Sequence, residues 1–237
     1  MVLSGQSLTI VVPARDEEVH LKEAVQVVLD VVPRFFETFE VLIVDDGSND
    51  RTGEVADELA AFHPSIVALH NRPARGLGGV VRQGLGRARM PYFMYVDGKG
   101  ATTAAALEQI FCHCGEADLV IPYPINMHER SALRRLISLA YQNLLNFLFG
   151  LRLHYYNHLV LYPTVLARSV RVRTDTYAFQ AEYLIKLLKR GVSFVEVGVE
   201  DRFNIEGRKT KAFKFRNVSG ICLFIFRTLW DVYILRW

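Results

Sequence analysis

Short apolar runs alternate with helical segments over the first half of the sequence, and this alternation constrains the fold more than any single motif. Five runs with the length and composition of β-strands cover residues 8–12, 39–44, 66–70, 92–96 and 119–122. Between them, residues 17–31, 52–62, 76–89 and 104–112 carry apolar side chains at helical spacing. Strands that alternate with helices predict a mostly parallel, doubly wound α/β sheet, which binds ligands at the carboxyl ends of its strands.

The composition narrows the class of protein. The chain has 237 residues, of which 51% are hydrophobic, and this suits one large α/β domain with a continuous core. A formal net charge of +3 is too small to indicate a nucleic-acid partner. Three cysteines, two of them in a Cys-His-Cys run too tight for the usual zinc spacing, indicate reduced thiols. The N-terminus lacks the pattern of a secretory leader, which predicts a cytosolic location.

Polar side chains gather at three of the predicted strand ends. Pro-Ala-Arg-Asp-Glu-Glu covers residues 13–18, Asp-Asp-Gly-Ser covers residues 45–48, and Asp-Gly-Lys covers residues 97–99. Because the carboxyl ends of parallel strands meet at one edge of a sheet, the three loops are predicted to converge on one crevice.

These motifs resemble those of the family-2 glycosyltransferases, which have the GT-A fold. The resemblance rests on residues 12–18, on Asp-Asp-Gly-Ser-Asn-Asp-Arg-Thr at residues 45–52 and on Gly-Leu-Gly-Gly at residues 76–79. Within the family the chain looks most like dolichyl- and polyprenyl-phosphate sugar synthases, because residues 177–182 and 201–211 resemble their Phe-Gln-x-Glu and Arg-x-x-Gly-x-Ser-Lys stretches. The resemblance implies an α/β, Rossmann-like, mostly parallel sheet flanked by helices, with C-terminal amphipathic helices.

The resemblance assigns the first two loops to a UDP- or GDP-sugar donor. A carboxylate at a strand end can accept from a base N–H or a ribose hydroxyl, while Gly47 lets the backbone approach the ligand. The implied nucleotide-sugar-binding residues are Pro13, Ala14, Arg15, Glu17, Asp45, Asp46, Gly47, Ser48, Arg75 and Gly76. The alternative for these loops is a turn with local helix capping, and Arg75 is either close to phosphate at a helix N-terminus or a solvated charge.

Asp97 ends an apolar run where the family carries an Asp-x-Asp metal clamp, but Lys99 replaces the second carboxylate. A lysine can contact donor phosphates directly but cannot ligate a divalent ion. If Lys99 points inward, its ammonium can stabilise the charge on the departing diphosphate; if it points outward, the turn is solvated. We expect Asp97 and Lys99 to be catalytic, and a Mg²⁺ or Mn²⁺ ion would have Asp97 as its one carboxylate ligand.

The acceptor half departs from the family at residues 155–162. Glu182 is interpreted as a base or acceptor-positioning group, or else as a carboxylate on a helix face. His158 is either a catalytic cation or base, or a structural histidine beside apolar residues. The other acceptor- or phosphate-binding candidates are Asn157, Gln180, Arg202, Arg208, Lys209 and Lys211.

Two stretches have the pattern of amphipathic helices. Residues 132–149 suit a helix that lies on a bilayer or packs on the sheet. Residues 218–237 are rich in aromatic side chains but are interrupted by charges, which predicts an interfacial helix rather than a membrane span. We expect a GT-A domain over residues 1–217, with a nucleotide-sugar half at 1–121 and an acceptor half at 122–217, followed by that helix.

The sequence therefore predicts an inverting glycosyltransferase at the cytoplasmic face of a membrane. The expected reaction moves a sugar from a UDP- or GDP-sugar to a polyprenyl-phosphate-type lipid. Two alternatives stay open: transfer to a hydroxyl of a small-molecule acceptor, and a non-catalytic subunit that binds nucleotide sugars. A homo-oligomer is compatible with the sequence.

Overall fold

A computed structural model describes residues 3–203 and 215–235. Its strands alternate with helices, as the apolar pattern predicts. The strands are β1 (Leu3–Ala14), β2 (Phe36–Asp45), β3 (Ile66–His70), β4 (Tyr92–Tyr95), β5 (Leu119–Pro124), β6 (Tyr162–Pro163) and β7 (Phe194–Val199). The helices are α1 (Leu21–Val31), α2 (Thr52–Phe62), α3 (Gly76–Arg87), α4 (Ala104–Cys112), α5 (Ala132–Phe149), α6 (Thr164–Ser169), α7 (Phe179–Leu188) and α8 (Phe215–Leu229), and a π-helical segment (Trp230–Ile234) follows α8.

The main sheet has the strand order β3-β2-β1-β4-β6. Its first four strands are parallel, and only β6 runs antiparallel to its neighbour β4. The predicted mostly parallel sheet is therefore confirmed. The fifth predicted strand lies elsewhere, because β5 pairs with β7 in a separate two-stranded parallel sheet.

The core lies on both faces of β1, β2 and β4. Side chains from both faces of β1 are inaccessible to solvent, among them Leu8, Ile10 and Val11. Continuous apolar runs of this kind are typical of parallel strands that are covered by helices on both sides. The strand ends are thus fixed by a rigid interior, while the loops that follow them are free to carry polar groups.

Helix α1 begins four residues later than predicted, at Leu21 rather than at residue 17. The preceding loop stays non-helical because its backbone N–H groups bond to the loop after β2: the Glu17 N–H donates to Thr52 Oγ1 at 2.8 Å. Asp16 has a φ of 57°, a left-handed conformation that a helix interior excludes. The tertiary contact overrides the local helical spacing.

The C-terminal end of α5 packs against the π-helical segment that follows α8. The Phe149 and Tyr233 rings stack with centroids 6.3 Å apart, and the Tyr233 hydroxyl donates to the Leu148 carbonyl at 3.0 Å. Both helices expose large apolar side chains, including Leu136 and Phe147 on α5 and Phe226 on α8. Among residues 3–203 and 215–235, no helix has the length and hydropathy needed to cross a bilayer.

Candidate active site

The loops that follow β1 and β2 are bonded into one unit. The Asp16 N–H donates to Ser48 Oγ at 3.0 Å, and the Asn49 N–H donates to Asp16 Oδ1 at 2.8 Å. With the bond between Glu17 and Thr52, this reciprocal pattern fixes the left-handed turn at Asp16. Two of the loops predicted to bind the nucleotide are therefore preformed.

Asp45 lies at the end of β2 and is buried. Its Oδ1 accepts from the Ser48 N–H at 3.0 Å, and its Oδ2 lies 3.5 Å from His70 Nδ1. His70 Nε2 lies 3.0 Å from Asp57 Oδ1 on α2. Partial burial lowers the pKa of His70, but the hydrogen bonds and charges of Asp57 and Asp45 outweigh it and raise that pKa above 6.5. The histidine thus favours its charged form between two carboxylates.

Asp46 holds the loop that leads into α3. Its Oδ1 accepts from the Arg75 N–H at 2.7 Å and from the Asn71 amide at 3.2 Å, while its Oδ2 accepts from the Gly76 N–H at 2.8 Å. The carboxylate therefore occupies the helix-end amides that a phosphate was predicted to use. This geometry corrects the expected phosphate contact at the Gly76 N–H, which is already bonded.

A segment from the C-terminal half covers the first turn of α3. The Gly78 N–H donates to the Asp175 carbonyl at 3.0 Å, and a Cβ at Gly78 would lie 2.1 Å from the Thr174 carbonyl. Arg82 donates to the same Thr174 carbonyl at 2.8 Å and forms an ion pair with Asp175. The glycines of this helix thus permit close approach of protein backbone, and the N–H groups of Gly76 and Gly78 are engaged by protein oxygens rather than left open for a phosphate.

Asp97 and Lys99 point to the same side of the chain that continues β4. Lys99 Nζ lies 2.7 Å from Asp97 Oδ2, and both side chains are about three-quarters buried, with exposures of 23% and 24%. Gly98 packs against β1, since its N–H donates to the Pro13 carbonyl at 3.3 Å. Lys99 therefore points inward, which is one of the two alternatives that the sequence left open.

The end of β1 joins the other two loops. On one side the Asp46 N–H donates to the Ala14 carbonyl at 2.9 Å, and on the other side Gly98 bonds to Pro13. The three strand-end loops consequently flank one another, with Asp46 and the Asp97–Lys99 pair on opposite sides of residues 13–14. The three predicted loops thus come together at one end of the sheet.

The donor set at Asp97 does not fit a divalent ion. One oxygen of its carboxylate already faces the Lys99 ammonium at 2.7 Å, and a cation at that oxygen would be repelled by Lys99. Among the described residues, no three His, Cys, Asp or Glu side chains come together in a way that could hold a metal. We therefore derive no step of the reaction through a metal.

Beneath the Asp97–Lys99 turn lies the fully buried hydroxyl of Tyr95. Burial raises the pKa of Tyr95 well above its usual value, and the charge of Asp97 raises it further. Asp201 of the acceptor half lies near this turn, because the next residue, Arg202, donates its N–H to the Ala101 carbonyl at 3.1 Å. Tyr155 lies near Asp201 in turn, because its ring is 6.4 Å from that of His158, the partner of Asp201.

His158 is a buried partner of Asp201 rather than a free base. The Leu159 N–H donates to its Nδ1 at 2.8 Å, so the ring proton resides on Nε2, which lies 3.1 Å from Asp201 Oδ1. Asn126 holds Asp201 in turn by bonding to its backbone at 2.8 and 3.2 Å. Both ring nitrogens are occupied, which agrees with the structural alternative for His158 rather than with a base.

Glu182 also has a structural position. It is 2% exposed and accepts from the backbone N–H groups of Arg173 and Thr174 at 3.0–3.2 Å. Its Oε1 lies 2.7 Å from Lys186 Nζ, which also bonds Asp231 Oδ2 at 2.6 Å. These contacts hold the carboxylate within the fold, which agrees with the alternative of a structural carboxylate on a helix face rather than with a base.

Gln180 is 1% exposed and donates to the Tyr162 hydroxyl at 2.8 Å, while its Oε1 has no partner among the described residues. Arg202 forms an exposed ion pair with Glu23 at 2.7 Å, and this pairing holds it on the surface of α1. Asn157 and Arg15 are exposed. Three predicted phosphate-binding residues lie outside the described residues: Arg208, Lys209 and Lys211.

Arg130 is a cation near this site that the sequence analysis missed. Its guanidinium lies 4.2 Å from the Phe203 ring centroid and donates to the Tyr155 hydroxyl at 3.1 Å. Within residues 3–203 and 215–235 it has no carboxylate partner at ion-pair distance. The signal in the sequence was weak, because only the fold brings Tyr155 and Phe203 to this arginine.

Comparison with known proteins assigns the family. Residues 9–122 match the profile named Glycosyl transferase family 2. These residues are a family-2 glycosyltransferase domain. The chain is 27% identical to glycosyltransferase AglD of Haloferax volcanii over 97% of its own length and 38% of AglD. It is 32% identical to the human dolichyl-phosphate beta-glucosyltransferase over 44% of its own length and 35% of that enzyme. The chain thus spans less than half the length of these relatives.

Solved structures confirm the predicted GT-A fold. Glucosyl-3-phosphoglycerate synthase of Mycobacterium tuberculosis, in complex with Mn²⁺, UDP and phosphoglyceric acid, superposes with a TM-score of 0.68. The match covers 93% of this chain and 79% of the synthase at 16% identity. At that identity the likeness concerns the fold alone, so the Asp97–Lys99 pair has to be interpreted from its own geometry.

Proposed function

We propose that this chain is an inverting glycosyltransferase that moves a sugar from a UDP- or GDP-sugar to a polyprenyl-phosphate-type lipid. The observation that carries the proposal is the inward-facing Asp97–Lys99 pair, which lies beside the preformed loops of a family-2 domain. The dolichyl-phosphate beta-glucosyltransferases among the relatives support the acceptor class.

In the proposed reaction an oxygen of the acceptor phosphate attacks the anomeric carbon of the donor. The bond from that carbon to the diphosphate breaks, and the nucleoside diphosphate leaves with the electron pair. A lipid phosphate is already ionised at neutral pH, so the step needs no general base. The engaged states of His158 and Glu182 are consistent with such an acceptor, because neither side chain is free to remove a hydroxyl proton.

Lys99 supplies the positive charge that the departing diphosphate needs. Its ammonium is mostly shielded from solvent, where a fixed charge stabilises a developing anion more strongly than in water. Asp97 orients the ammonium by pairing with it at 2.7 Å. Lys99 therefore acts in the role that a metal ion has in related enzymes.

Arg130 is the residue that we assign to the acceptor phosphate. Aromatic contact with Phe203 and the bond to Tyr155 restrain the guanidinium and leave other N–H groups for a ligand. The exposed apolar side chains of α5 and α8 favour peripheral attachment to a membrane, where the lipid acceptor resides.

The test is a transfer assay with radiolabelled UDP- and GDP-sugars and a short-chain polyprenyl phosphate in detergent, with and without EDTA. Wild type is expected to transfer one sugar class at a rate that EDTA does not change. Lys99→Ala is expected to lower kcat by about 100-fold with a smaller change in donor KM, because its charge acts on the transition state. The matched control is Lys22→Ala, which removes an exposed lysine from a surface ion pair.

Four results would contradict the proposal. If EDTA abolishes transfer and Mg²⁺ or Mn²⁺ restores it, a metal ion rather than Lys99 stabilises the departing diphosphate. An unchanged kcat in Lys99→Ala would also show that Lys99 does not stabilise the transition state. Retained nucleotide affinity without transfer to any acceptor would favour the non-catalytic binding subunit, whereas transfer only to a hydroxyl acceptor would favour the small-molecule alternative.

A further inference from the structure

An open groove of about 340 Å³ lies beside α8. Arg173, Phe226, Arg227, Trp230 and Asp231 line it. Arg173 comes from the segment that covers α3, and the other four residues come from α8 and the π-helical segment. The groove therefore joins two separate parts of the chain.

The groove carries uncompensated positive charge. Asp231 is its one carboxylate, and that group already bonds Lys186 Nζ at 2.6 Å on its buried side. Neither Arg173 nor Arg227 forms an ion pair with any residue in the ranges 3–203 and 215–235. Two arginines thus line one groove without an anion from the described part of the chain to neutralise them, and guanidinium is the side-chain group best matched to phosphate.

The same groove is walled by exposed aromatic side chains. Phe226 is 65% exposed and Trp230 is 50% exposed. They lie four residues apart on the helix, and Leu223 and Ile234 extend the same apolar stripe in both directions. Aromatic side chains combined with arginine are typical of the boundary between lipid headgroups and acyl chains.

We propose that this groove binds the phosphate headgroup of an anionic membrane lipid. Arg173 and Arg227 contact the phosphate, and Phe226 and Trp230 enter the region where the acyl chains begin. The apolar wall selects a lipid over a free phosphate, since a soluble anion would leave both aromatic side chains in water. The site is separate from sugar transfer and needs neither donor nor acceptor.

The buried ion network preforms the groove. Glu182 accepts from the Arg173 N–H at 3.2 Å, Lys186 joins Glu182 to Asp231, and Arg227 lies one turn before Asp231. The backbones that carry both arginines are therefore held by one connected set of bonds. A preformed site of this kind loses little conformational entropy when it binds a headgroup.

The test is cosedimentation of the full chain with vesicles of phosphatidylcholine, with or without phosphatidylglycerol, in the absence of donor and acceptor. Wild type is expected to prefer the anionic vesicles. Arg173→Gln with Arg227→Gln is expected to weaken that binding by roughly 30-fold, since each basic residue contributes about a fivefold factor at an anionic surface. The control, Arg51→Gln with Arg87→Gln, removes the same charge from exposed positions outside the groove and is expected to change binding less than about threefold.

Equal losses in the two double variants would show diffuse charge attraction and would overturn the proposal. Full anionic-vesicle binding by the groove variant would also overturn it. Displacement of the vesicles by millimolar glycerol phosphate would indicate a site for soluble phosphates instead. The transfer assay in detergent remains independent of these results, so failure of the lipid site and failure of the proposed function are distinguishable.

Discussion

Single residues at the strand ends have little freedom to change, and Gly98 is an example. A Cβ at Gly98 would lie 2.7 Å from the Pro13 carbonyl oxygen, a backbone atom that cannot move aside. We expect Gly98→Ala to lower the free energy of unfolding by about 1–3 kcal/mol. Urea unfolding measures this, with Gly86→Ala as the control. A Cβ at Gly86 meets no atom within 4 Å, and alanine there should stabilise α3 by about 0.5 kcal/mol.

If Gly98→Ala were as stable as wild type, the contact between the β4 extension and β1 would be looser than described. That result would also weaken the placement of Asp97 and Lys99, because Gly98 holds the turn between them. An increase in the free energy of unfolding for Gly86→Ala would show that replacing a glycine by alanine does not in itself destabilise this chain.

His70 makes stability depend on pH. Its pKa is raised in the folded state by Asp57 and Asp45, so its stabilising contribution is complete below 6.5, the value for an unperturbed histidine. The contribution is lost as the pH rises through the raised folded value. We expect His70→Gln to lower Tm more at about pH 5.5 than at about pH 8.5.

Thermal unfolding of wild type and variant at both pH values measures this difference. His128→Gln is the control, because His128 is exposed and has no ion pair within the described residues. A destabilisation by His70→Gln that stays constant with pH would show that the ring acts by packing rather than by charge.

At the scale of elements, Lys186 ties α7 to the segment after α8. Lys186, Glu182 and Asp231 are all at most 5% exposed, so removal of the lysine leaves two buried carboxylates without their cation. We expect Lys186→Met to cost about 3–5 kcal/mol of stability. Adding Asp231→Asn should recover part of that loss, because it removes one of the unpaired charges.

Chemical denaturation of the single and double variants measures the coupling. Lys22→Met is the control, since Lys22 and Glu58 form an exposed pair whose loss should change stability by less than about 1 kcal/mol. Additive effects of Lys186→Met and Asp231→Asn would contradict a direct interaction between them.

The elements themselves were predictable, because apolar periodicity is a local property. Helix α2 and strand β3 have the predicted bounds. The cover of α3 was not predictable, because Thr174 and Asp175 lie about a hundred residues away in sequence and only the fold brings them to Gly78. Lys186 was missed for a similar reason: a lysine in a helix is usually solvated, and its two carboxylate partners are recognisable only in three dimensions.

At the scale of the whole molecule, one core joins the two sheets. Buried side chains of β1, β5, α7 and α8 belong to a single cluster, and Phe224 of α8 is 2% exposed within it. We therefore expect cooperative unfolding. Both tryptophans, Trp230 and Trp237, lie near the C-terminus of the sequence, so their fluorescence reports this region alone. The urea midpoint measured by tryptophan fluorescence should equal the midpoint measured by far-UV circular dichroism, which reports all helices.

An earlier fluorescence midpoint would mean that the C-terminal region unfolds separately. Lys186→Met then offers a check, because it should separate the two midpoints even if they coincide in wild type. The prediction thus tests whether α8 is an integral part of the domain.

The pairing of Lys99 with Asp97 has a consequence for the conditions under which this chain can work. An ammonium on the polypeptide is present in a fixed ratio of one per molecule, whereas a bound metal must be captured from a fluctuating cellular pool and lost ions must be replaced. Citrate, ATP and other cellular chelators therefore compete with a protein for its metal ion, but they cannot remove the ammonium of a lysine side chain. Under the proposed mechanism, the exchange of one carboxylate for one amine makes the reaction independent of the supply of metal ions.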